Sequence, residues 1–256
     1  MTKEGIKEQQ KANTELMKKP LSIIIYGRAG SGKGTQAKLL AEKFGLEHFS
    51  SGDALRQRSK TNDFTGKKLG MVMKSGKWVP PSTIIKIWMD KLEKLKQKKK
   101  FKGWVYDGGP RFITESELLN TALEWYEWQE NIKIIFIDIS GRVSFDRLTK
   151  RRQCKECGEL IPWIGEFKKL KKCQKCKGSL AYRADDNTAA IKKRLVEFNR
   201  HSIPAMNYFK KKRKFIKING EQPIEDVFKD ILRALFNRGA IAHCSHTAAS
   251  QGRSGS

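Results

Sequence analysis

The sequence lacks the features that would place the protein in a membrane or outside the cell. Residues 1–20 contain no apolar stretch of the signal-peptide type, and no apolar run approaches the ~20 residues that span a bilayer. We therefore expect a cytoplasmic protein with no membrane partner. Because residues 1–20 are polar and end at Pro20, we expect them to form a flexible arm.

Acidic residues are also scarce. The chain of 256 residues contains 27 Asp and Glu against 53 Lys and Arg, which gives a formal net charge of +26. An excess of this size favours polyanionic ligands, nucleic acid or an acidic membrane surface, without choosing among them. The hydrophobic fraction of 38% is low for a globular protein, yet it is not the composition of a disordered chain.

Cysteine is rare too, with five in the chain. In a reducing cytoplasm the thiols favour metal binding, and two disulfides are the alternative. Cys154 and Cys157 are followed, after fifteen intervening residues, by Cys173 and Cys176. This spacing is typical of a structural Zn²⁺ site with four thiolates and no open position for catalysis.

The fifth cysteine, Cys244, lies with His243 and His246 in a stretch of small and polar residues, 237–256. That stretch has no periodicity, and we expect a disordered tail or a cloning remnant. We assign no metal site to it.

Short apolar runs alternate with longer amphipathic segments between these two ends. The runs predict strands at residues 21–27, 46–50, 103–109, 133–140 and 214–220. The amphipathic segments predict helices at residues 34–44, 82–98, 114–126, 142–152, 187–208 and 224–235. Apolar strands separated by helices indicate an α/β fold, with a parallel five-stranded sheet covered by helices on both faces. Residues 50–80 and 153–186 interrupt this rhythm, and we expect both as small insertions at the carboxyl edge of the sheet within a core of residues 21–236.

A glycine-rich segment, GRAGSGKGTQA, follows the first predicted strand. Gly27, four further residues, Gly32 and Lys33 match the first part of the phosphate-binding pattern G-x-x-x-x-G-K-[ST]. Glycines let backbone N–H groups point at phosphate oxygens, and the helix that follows adds its dipole. Gly34 stands where a hydroxyl residue usually follows the lysine, and the hydroxyl comes one residue later at Thr35. The segment predicts a site for the phosphates of a nucleoside triphosphate.

Six segments together resemble the adenylate kinase family, within the nucleoside monophosphate kinases. They are GKGTQ, SSGDALR, DGGPR, DRLTKRR, RADDNTAAIKKRLVEF and KINGEQP, in that order along nearly the whole chain. The resemblance implies a fold of the P-loop NTPase type, with residues 50–80 as the NMP-binding insertion and residues 153–186 as a zinc-bound lid. It implies transfer of the γ-phosphoryl group of Mg-ATP to AMP, and a monomer. Such a transfer depends on positioning the two substrates and on neutralising the charge of the phosphate oxygens. The planar guanidinium of arginine is suited to both tasks.

The resemblance also implies roles for individual residues. The expected ATP-binding residues are Gly30, Ser31, Gly32, Lys33, Gly34, Thr35, Arg147 and Arg151. The expected NMP-binding residues are Ser51, Arg56, Val79, Gly108, Arg111, Glu115, Arg183 and Arg194. The expected catalytic residues are Lys33, Asp107, Arg111, Arg147, Arg151, Arg183 and Arg194. Asp107 would hold Mg²⁺ through water, and Asp185 and Asp186 would order the closed lid.

Two residues depart from the family pattern at the acceptor site. Gly109 replaces the usual Phe, and Glu115 replaces a Gln four residues after Arg111. An ionised glutamate only accepts hydrogen bonds, so it matches the two adjacent donors of guanine better than adenine. The alternative acceptor is therefore GMP or another NMP. Glu115 pointing to solvent, or adenine being read by the backbone, would leave AMP as the acceptor, and the hydroxyl of Ser51 supports AMP.

The lysine-rich stretches leave a second alternative open. A basic protein with a four-cysteine ribbon is also compatible with a nucleic-acid-binding module. The lid has few aromatic residues for base stacking, mainly Trp163 and Phe167. We therefore expect nucleic acid to bind at most nonspecifically. Of the three lysine-rich runs, 91–102 and 210–217 read best as solvated helix faces and loops.

Overall fold

The computed structural model describes residues 18–183 and 186–236. Most of the predicted arm lies outside the described residues. The predicted tail with His243, Cys244 and His246 lies outside them entirely, and so does Asp185.

A parallel sheet forms the centre of the molecule. Its strands are β1 (Leu21–Tyr26), β2 (Glu47–Ser50), β3 (Gly103–Asp107), β4 (Ile132–Asp138) and β8 (Lys214–Asn219). They lie in the order β2-β3-β1-β4-β8, and every neighbouring pair is parallel. β1 and β3 are buried along their whole length, whereas the edge strand β8 alternates buried and exposed residues. The predicted α/β fold with a five-stranded parallel sheet is confirmed.

A second, small sheet belongs to the segment between two of the helices. It consists of β5 (Arg152–Cys154), β6 (Leu160–Ile161) and β7 (Leu180–Tyr182), which pair antiparallel in the order β6-β5-β7.

Helices cover both faces of the central sheet. They are α1 (Lys33–Phe44), α2 (Ser51–Arg58), α3 (Phe64–Lys74), α4 (Pro81–Lys96), α5 (Ile113–Trp125), α6 (Gly141–Lys150), α7 (Thr188–Glu197), α8 (Ile203–Lys210) and α9 (Ile224–Phe236). One apolar core packs α4, α5 and α8 against one face, around Trp88, Trp104 and Phe209. The other packs α1 and α9 against the opposite face, around Leu40, Ile135 and Ile231. Within the described residues, none of the helices is long and apolar enough to cross a bilayer.

The helix predicted at residues 187–208 is wrong as a single α-helix. A π-helical turn, Phe198–Ser202, separates α7 from α8. Pro204 sits in the first turn of α8, and its ring would clash with the carbonyl of Arg200 in a continuous α-helix. The wider turn accommodates the proline, as π-turns inside helices commonly do.

Candidate active site

One cleft gathers almost all of the residues that the sequence singles out. It lies at the carboxyl edge of the sheet, where the loops after β1, β3 and β8 meet, and encloses a volume of about 530 Å³. The segment after β2 covers one side of it, and the segment with the small antiparallel sheet covers the other. Open parallel sheets bind ligands at this edge because the loops between strands and helices converge there.

The loop after β1 forms the floor of the cleft. Gly30 and Gly32 have φ angles of 81° and 90°, in the left-handed region that favours glycine. α1 begins directly after Gly32, so its first N–H groups have no partner within the helix and point towards the loop. A Cβ atom at Gly34 would lie 3.1 Å from Oδ2 of Asp107, so a larger residue there would crowd this carboxylate. Ser31 is buried and Thr35 lines the cleft beside it.

Lys33 lies among like charges. Burial lowers the pKa of Lys33 to about 8; Asp107 opposes this shift, while Arg111, Arg151 and Arg194 lower the pKa further. The Lys33 ammonium donates to the carbonyl of Arg28 over 3.3 Å. Crowding cations in a partly dehydrated cleft is costly unless an anion occupies it. The floor of the cleft is therefore suited to a polyphosphate.

Asp107 ends β3 with its carboxylate beside the same floor. Burial raises the pKa of Asp107 above its usual range, while Lys33 and His48 hold it down. The Oδ1 atom is buried and has no hydrogen-bond partner among the described residues. A buried carboxylate with a vacant oxygen beside a phosphate-binding loop is the donor that Mg²⁺ prefers, directly or through water. Asp107 therefore fits the metal that the sequence predicts.

The side of the cleft that the sequence predicts to bind the acceptor, which we call the acceptor side, is formed by α2, the segment after α3 and the loop after β3. Ser51 donates from Oγ to the Tyr106 hydroxyl over 3.2 Å. Arg56 is held by Asp53 on its own helix, and Val79 is 5% exposed with its side chain lining the cleft. Gly108 lines the cleft as well, so the structure brings these predicted acceptor residues together.

Arg111 is fixed on this side by three contacts. Its Nε donates to the carbonyl of Gly108 over 2.9 Å, and its guanidinium lies 5.4 Å from the centroid of the Trp78 ring. Its backbone N–H donates to Oε2 of Glu115 over 3.0 Å. Such contacts hold an arginine in one orientation, which a bidentate phosphate contact requires.

Glu115 does not point to solvent, so that alternative is wrong. The side chain is 1% exposed and sits in the first turn of α5, where its Oε2 accepts the Arg111 N–H. The other oxygen, Oε1, is buried without a partner among the described residues. Burial raises the pKa of Glu115 to about 7, against the hydrogen bond and charge of Arg111.

Gly109, the second departure from the family pattern, is explained by its neighbours. A Cβ atom at Gly109 would lie 2.3 Å from the Tyr106 hydroxyl and 3.0 Å from Oγ of Ser51. Tyr106 is fully buried and stacks on Trp104 at 5.3 Å between ring centroids, so it cannot yield the space. A larger side chain at position 109 is thus excluded while Tyr106 is present.

The lid side carries the remaining arginines. Arg147 donates to the carbonyls of Gly30 (3.3 Å) and Gly220 (3.0 Å). Arg151 donates to both carboxylate oxygens of Asp186 at 2.8 Å, and Arg194 donates to the same carboxylate at 3.0 Å.

The i,i+4 spacing of Arg147 and Arg151 predicts that they share one face of a helix, and this prediction is wrong. α6 ends at Lys150, and Arg151 follows with an extended backbone (ψ 139°). Arg183 also lines the cleft, so six predicted arginines surround one space: Arg56, Arg111, Arg147, Arg151, Arg183 and Arg194.

The four cysteines meet in one cluster in the lid. Their Sγ atoms all lie within 4.8 Å of one another, with 3.4 Å between Cys154 and Cys176 and 3.6 Å between Cys157 and Cys173. None of the four forms a disulfide in the structure, and the meeting of all four at one point favours a shared metal ion over two disulfides. Thiolates around a tetrahedral ion with Zn–S bonds of about 2.3 Å are about 3.8 Å apart, so the cluster fits Zn²⁺.

Sequence reasoning missed several residues that shape the cleft. Trp78 holds Arg111, and Arg28 links the phosphate loop to Asp138 (3.2 Å) and to the ring of Phe198 (5.2 Å). No sequence motif distinguishes Trp78 or Arg28, because their roles arise from contacts between distant segments. Trp163 also lines the cleft, with Lys150 and Arg152 over its ring.

Known proteins agree with this architecture. The family model described as "Adenylate kinase" matches residues 25–214. An adenylate kinase of Methanocella arvoryzae is 35% identical over 216 residues, which cover 84% of this chain and 98% of that protein. Adenylate kinases of Chlamydia muridarum and Caldicellulosiruptor bescii are 34% and 35% identical, covering 84% of this chain and 87% and 99% of their own lengths. The chain therefore belongs to the adenylate kinase family.

Proposed function

We propose that the protein is an ATP:AMP phosphotransferase, which reversibly moves the γ-phosphoryl group of Mg-ATP to AMP and yields two ADP. The named relatives support this activity along their full length. The observation that carries it is the meeting of Lys33 with Arg111 from the acceptor side and with Arg151 and Arg194 from the lid side. A cleft of this kind places two phosphorylated substrates end to end.

The reaction requires little covalent help from the protein. An oxygen of the AMP phosphate forms a bond to the γ-phosphorus, while the bond from that phosphorus to the β–γ bridging oxygen breaks. No general base is required, because a phosphate monoester is already largely ionised at neutral pH. The protein therefore contributes position and positive charge around the transferring group.

Each side of the cleft has its own part in this scheme. The loop after β1 and Lys33 hold the ATP phosphates, with Arg147 and Arg151 beside them. Arg56 and Arg111 hold the AMP phosphate, and Arg183 and Arg194 close on the transferring group from the lid side. Asp107 is the residue that would hold Mg²⁺, and the ion would supply positive charge to the ATP phosphates.

The lid is proposed to hold a structural Zn²⁺ ion through Cys154, Cys157, Cys173 and Cys176. Closing the lid excludes water, which would otherwise accept the phosphoryl group. A monomeric state and a cytoplasmic location stay predictions, and gel filtration tests the first.

AMP is favoured over GMP by the geometry of Glu115 as well as by the named relatives. A carboxylate that pairs with both guanine donors uses both of its oxygens. In Glu115, Oε2 already accepts the N–H of Arg111, and Glu115 is not among the residues that line the cleft. Reading guanine would therefore break a contact that fixes Arg111.

A coupled assay with Mg-ATP and, in parallel, AMP, GMP, CMP and UMP tests the proposal. We expect strong preference for AMP. Lys33→Met should lower turnover by about three orders of magnitude, since it removes the cation at the floor of the phosphate site. Lys43→Met, an exposed lysine on the same helix, is the matched control and should keep wild-type turnover. Preference for GMP would move the base specificity to Glu115, and activity with none of the four would refute the assignment.

A further inference from the structure

Two lysine-rich runs, 91–102 and 210–217, converge on one edge of the sheet. In a parallel sheet all strands start at the same edge, here the edge opposite the cleft. The end of α4 and the loop to β3 reach this edge, as do the start of β1 and the turn before β8. We call the basic side chains gathered there the basic rim: Lys18, Lys19, Lys98, Lys99, Lys100, Lys102, Lys133, Lys211, Lys212 and Lys214.

Hydrogen bonds and strand pairing connect the rim from one strand to the next. The backbone N–H of Leu21 donates to the carbonyl of Lys102 over 2.9 Å, which joins the loop before β3 to the start of β1. Asn131, just before β4, donates to the carbonyl of Lys19 over 3.2 Å. Lys133 and Lys214 are register partners in β4 and β8. The cations therefore form a row across the sheet, rather than separate patches.

Acidic residues neutralise only part of this row. Glu47 pairs with Lys91 (3.5 Å) and Lys98, and Glu130 pairs with Lys19. By contrast, the ammonium groups of several rim lysines make no salt bridge within residues 18–183 and 186–236; these are Lys99, Lys100, Lys102 and Lys211. Unpaired cations set side by side repel one another, which favours a ligand that carries several negative charges.

Like-charge repulsion is visible at the β4–β8 end of the rim. Burial lowers the pKa of Lys133, and the charge of Lys214 lowers it further. Lys214 itself is exposed. A bound anion near this pair would relieve the repulsion.

Aromatic side chains lie among the rim lysines. The Phe101 ring packs against Trp128 with 4.5 Å between centroids, which anchors the loop that carries Lys100 and Lys102. Trp125 ends α5 at the same edge and is 79% exposed. Trp125 therefore offers one exposed ring at this edge, and single-stranded nucleic acids stack bases on such rings while cations hold their phosphates.

We propose that the basic rim binds the phosphate backbone of nucleic acid. The rim runs along the starts of four strands, β3, β1, β4 and β8. At a spacing of about 4.8 Å the row is about 14 Å long, which matches a line of a few backbone phosphates. A lipid surface would instead call for a broad apolar face to insert between head groups. The rim faces away from the cleft, so binding there is independent of the kinase reaction.

A quadruple variant tests the rim directly. Lys99, Lys100, Lys102 and Lys211 are each changed to Gln, and binding of a labelled 30-nucleotide poly(U) RNA is titrated between 50 and 200 mM salt. The matched control changes four exposed lid lysines, Lys168, Lys169, Lys171 and Lys172, to Gln, with the same loss of charge. Both variants carry net charge +22 (26 minus 4), so a difference between them reports on position. A duplex DNA of 30 base pairs and vesicles with phosphatidylserine are parallel arms.

We expect the wild-type chain to bind the RNA, and the rim variant to bind at least tenfold more weakly at 100 mM salt. The slope of log affinity against log salt should become shallower by about three, because each lost phosphate contact removes about 0.7. The lid variant should stay within threefold of wild type, and the rim variant should retain its kinase turnover. If duplex DNA binds as tightly as the RNA, the rim recognises the phosphate backbone alone, without base stacking, which still supports the proposal. Equal losses in both variants, no binding by the wild type, or binding to vesicles without binding to nucleic acid would each overturn the proposal.

Discussion

Two segments flank the cleft, and they are stabilised in different ways. The acceptor segment, residues 51–80, contributes Leu55, Leu69 and Val79 to the larger apolar core, where each is at most 5% exposed. The lid segment, residues 152–183, buries few apolar side chains, and among its described residues none belongs to either apolar core.

The difference shows how an insertion can fold without a core of its own. A segment of about 30 residues cannot bury enough apolar surface to be stable alone. The acceptor segment is stable because its apolar side chains pack into the larger core of the molecule. The lid stays apart from that core, so its cysteine cluster must supply the cross-link. A lid stabilised within itself can move as a unit over the cleft, which the reaction requires.

The sharpest test of this contrast removes a thiol from the lid. Cys173→Ser leaves three thiolates, and we expect bound zinc to fall from about one ion per chain to near zero. Because the lid has no other core, it should become sensitive to protease, and turnover should fall by about two orders of magnitude. Zinc analysis, limited proteolysis and the coupled assay measure these effects. Cys244→Ser is the control, and a Cys173→Ser chain with an intact, active lid would contradict the contrast.

On the acceptor side the largest effect should come from Arg111. Arg111→Ala removes a guanidinium that Gly108, Trp78 and Glu115 hold in place, and we expect turnover to fall by about three orders of magnitude. Zinc content and the melting temperature should stay close to those of wild type. Arg58→Ala, which removes a surface arginine from α2, is the matched control. Retention of wild-type turnover by Arg111→Ala would refute the role.

Burial of apolar side chains should contribute to the free energy of unfolding in the acceptor segment and not in the lid. Leu69 is 4% exposed, and Leu69→Ala should lower the free energy of unfolding by about 2–5 kcal/mol through the lost burial and the cavity left behind. Urea unfolding measures the change, and zinc content should not alter. Met71→Ala, at a 61% exposed position of the same helix, should change stability by less than about 0.5 kcal/mol. Equal effects from the two variants would place Leu69 outside the core.

The buried carboxyl group of Glu115, beside Arg111, should make the free energy of unfolding depend on pH. The pKa of Glu115 is about 7 in the folded chain against an ordinary 4.5, so the unfolded chain ionises first as the pH rises. Stability from this group is full below pH 4.5 and is lost as the pH rises through 7, by an amount on the order of 3 kcal/mol.

Glu115→Gln keeps an acceptor for the Arg111 N–H and cannot ionise. The variant should therefore gain stability over wild type at pH 7.5 and lose that gain at pH 4.5, measured by urea unfolding. An equal difference at both pH values would show that Glu115 titrates normally.

The smallest effect is expected at the surface contact between the lid and the core. Lys38 on α1 pairs with Glu159 of the lid over 2.9 Å, with both side chains at least a third exposed. Exposed pairs contribute at most about 1 kcal/mol, so Glu159→Gln should change turnover by less than about threefold. The coupled assay at low and high salt measures it. A tenfold change would make this pair a determinant of lid closure.

Local sequence patterns were sufficient to predict the sheet, the phosphate loop and the cysteine cluster. Their signals lie in one short segment each: an isoleucine-rich run at Leu21–Tyr26, glycines before Lys33, and paired cysteines. These patterns are reliable predictors because the backbone geometry of each feature is set by residues that are adjacent in the sequence.

Features that depend on distant segments were not predictable in the same way. The inward position of Glu115 depends on the backbone of Arg111, and the support of Arg111 depends on Trp78 from another segment. The break in the helix at Phe198–Ser202 follows from Pro204. This feature is an exception, because a proline in a predicted helix is visible in the sequence itself. The lysine runs are far apart in sequence, and only the parallel sheet brings them to one edge.

The contact between Tyr106 and position 109 couples two positions of the chain. A side chain at 109 would collide with the Tyr106 hydroxyl at 2.3 Å, so the two positions cannot be changed independently. Redesign of this site must therefore treat them as a pair: any residue larger than glycine at position 109 requires a smaller side chain at position 106 first.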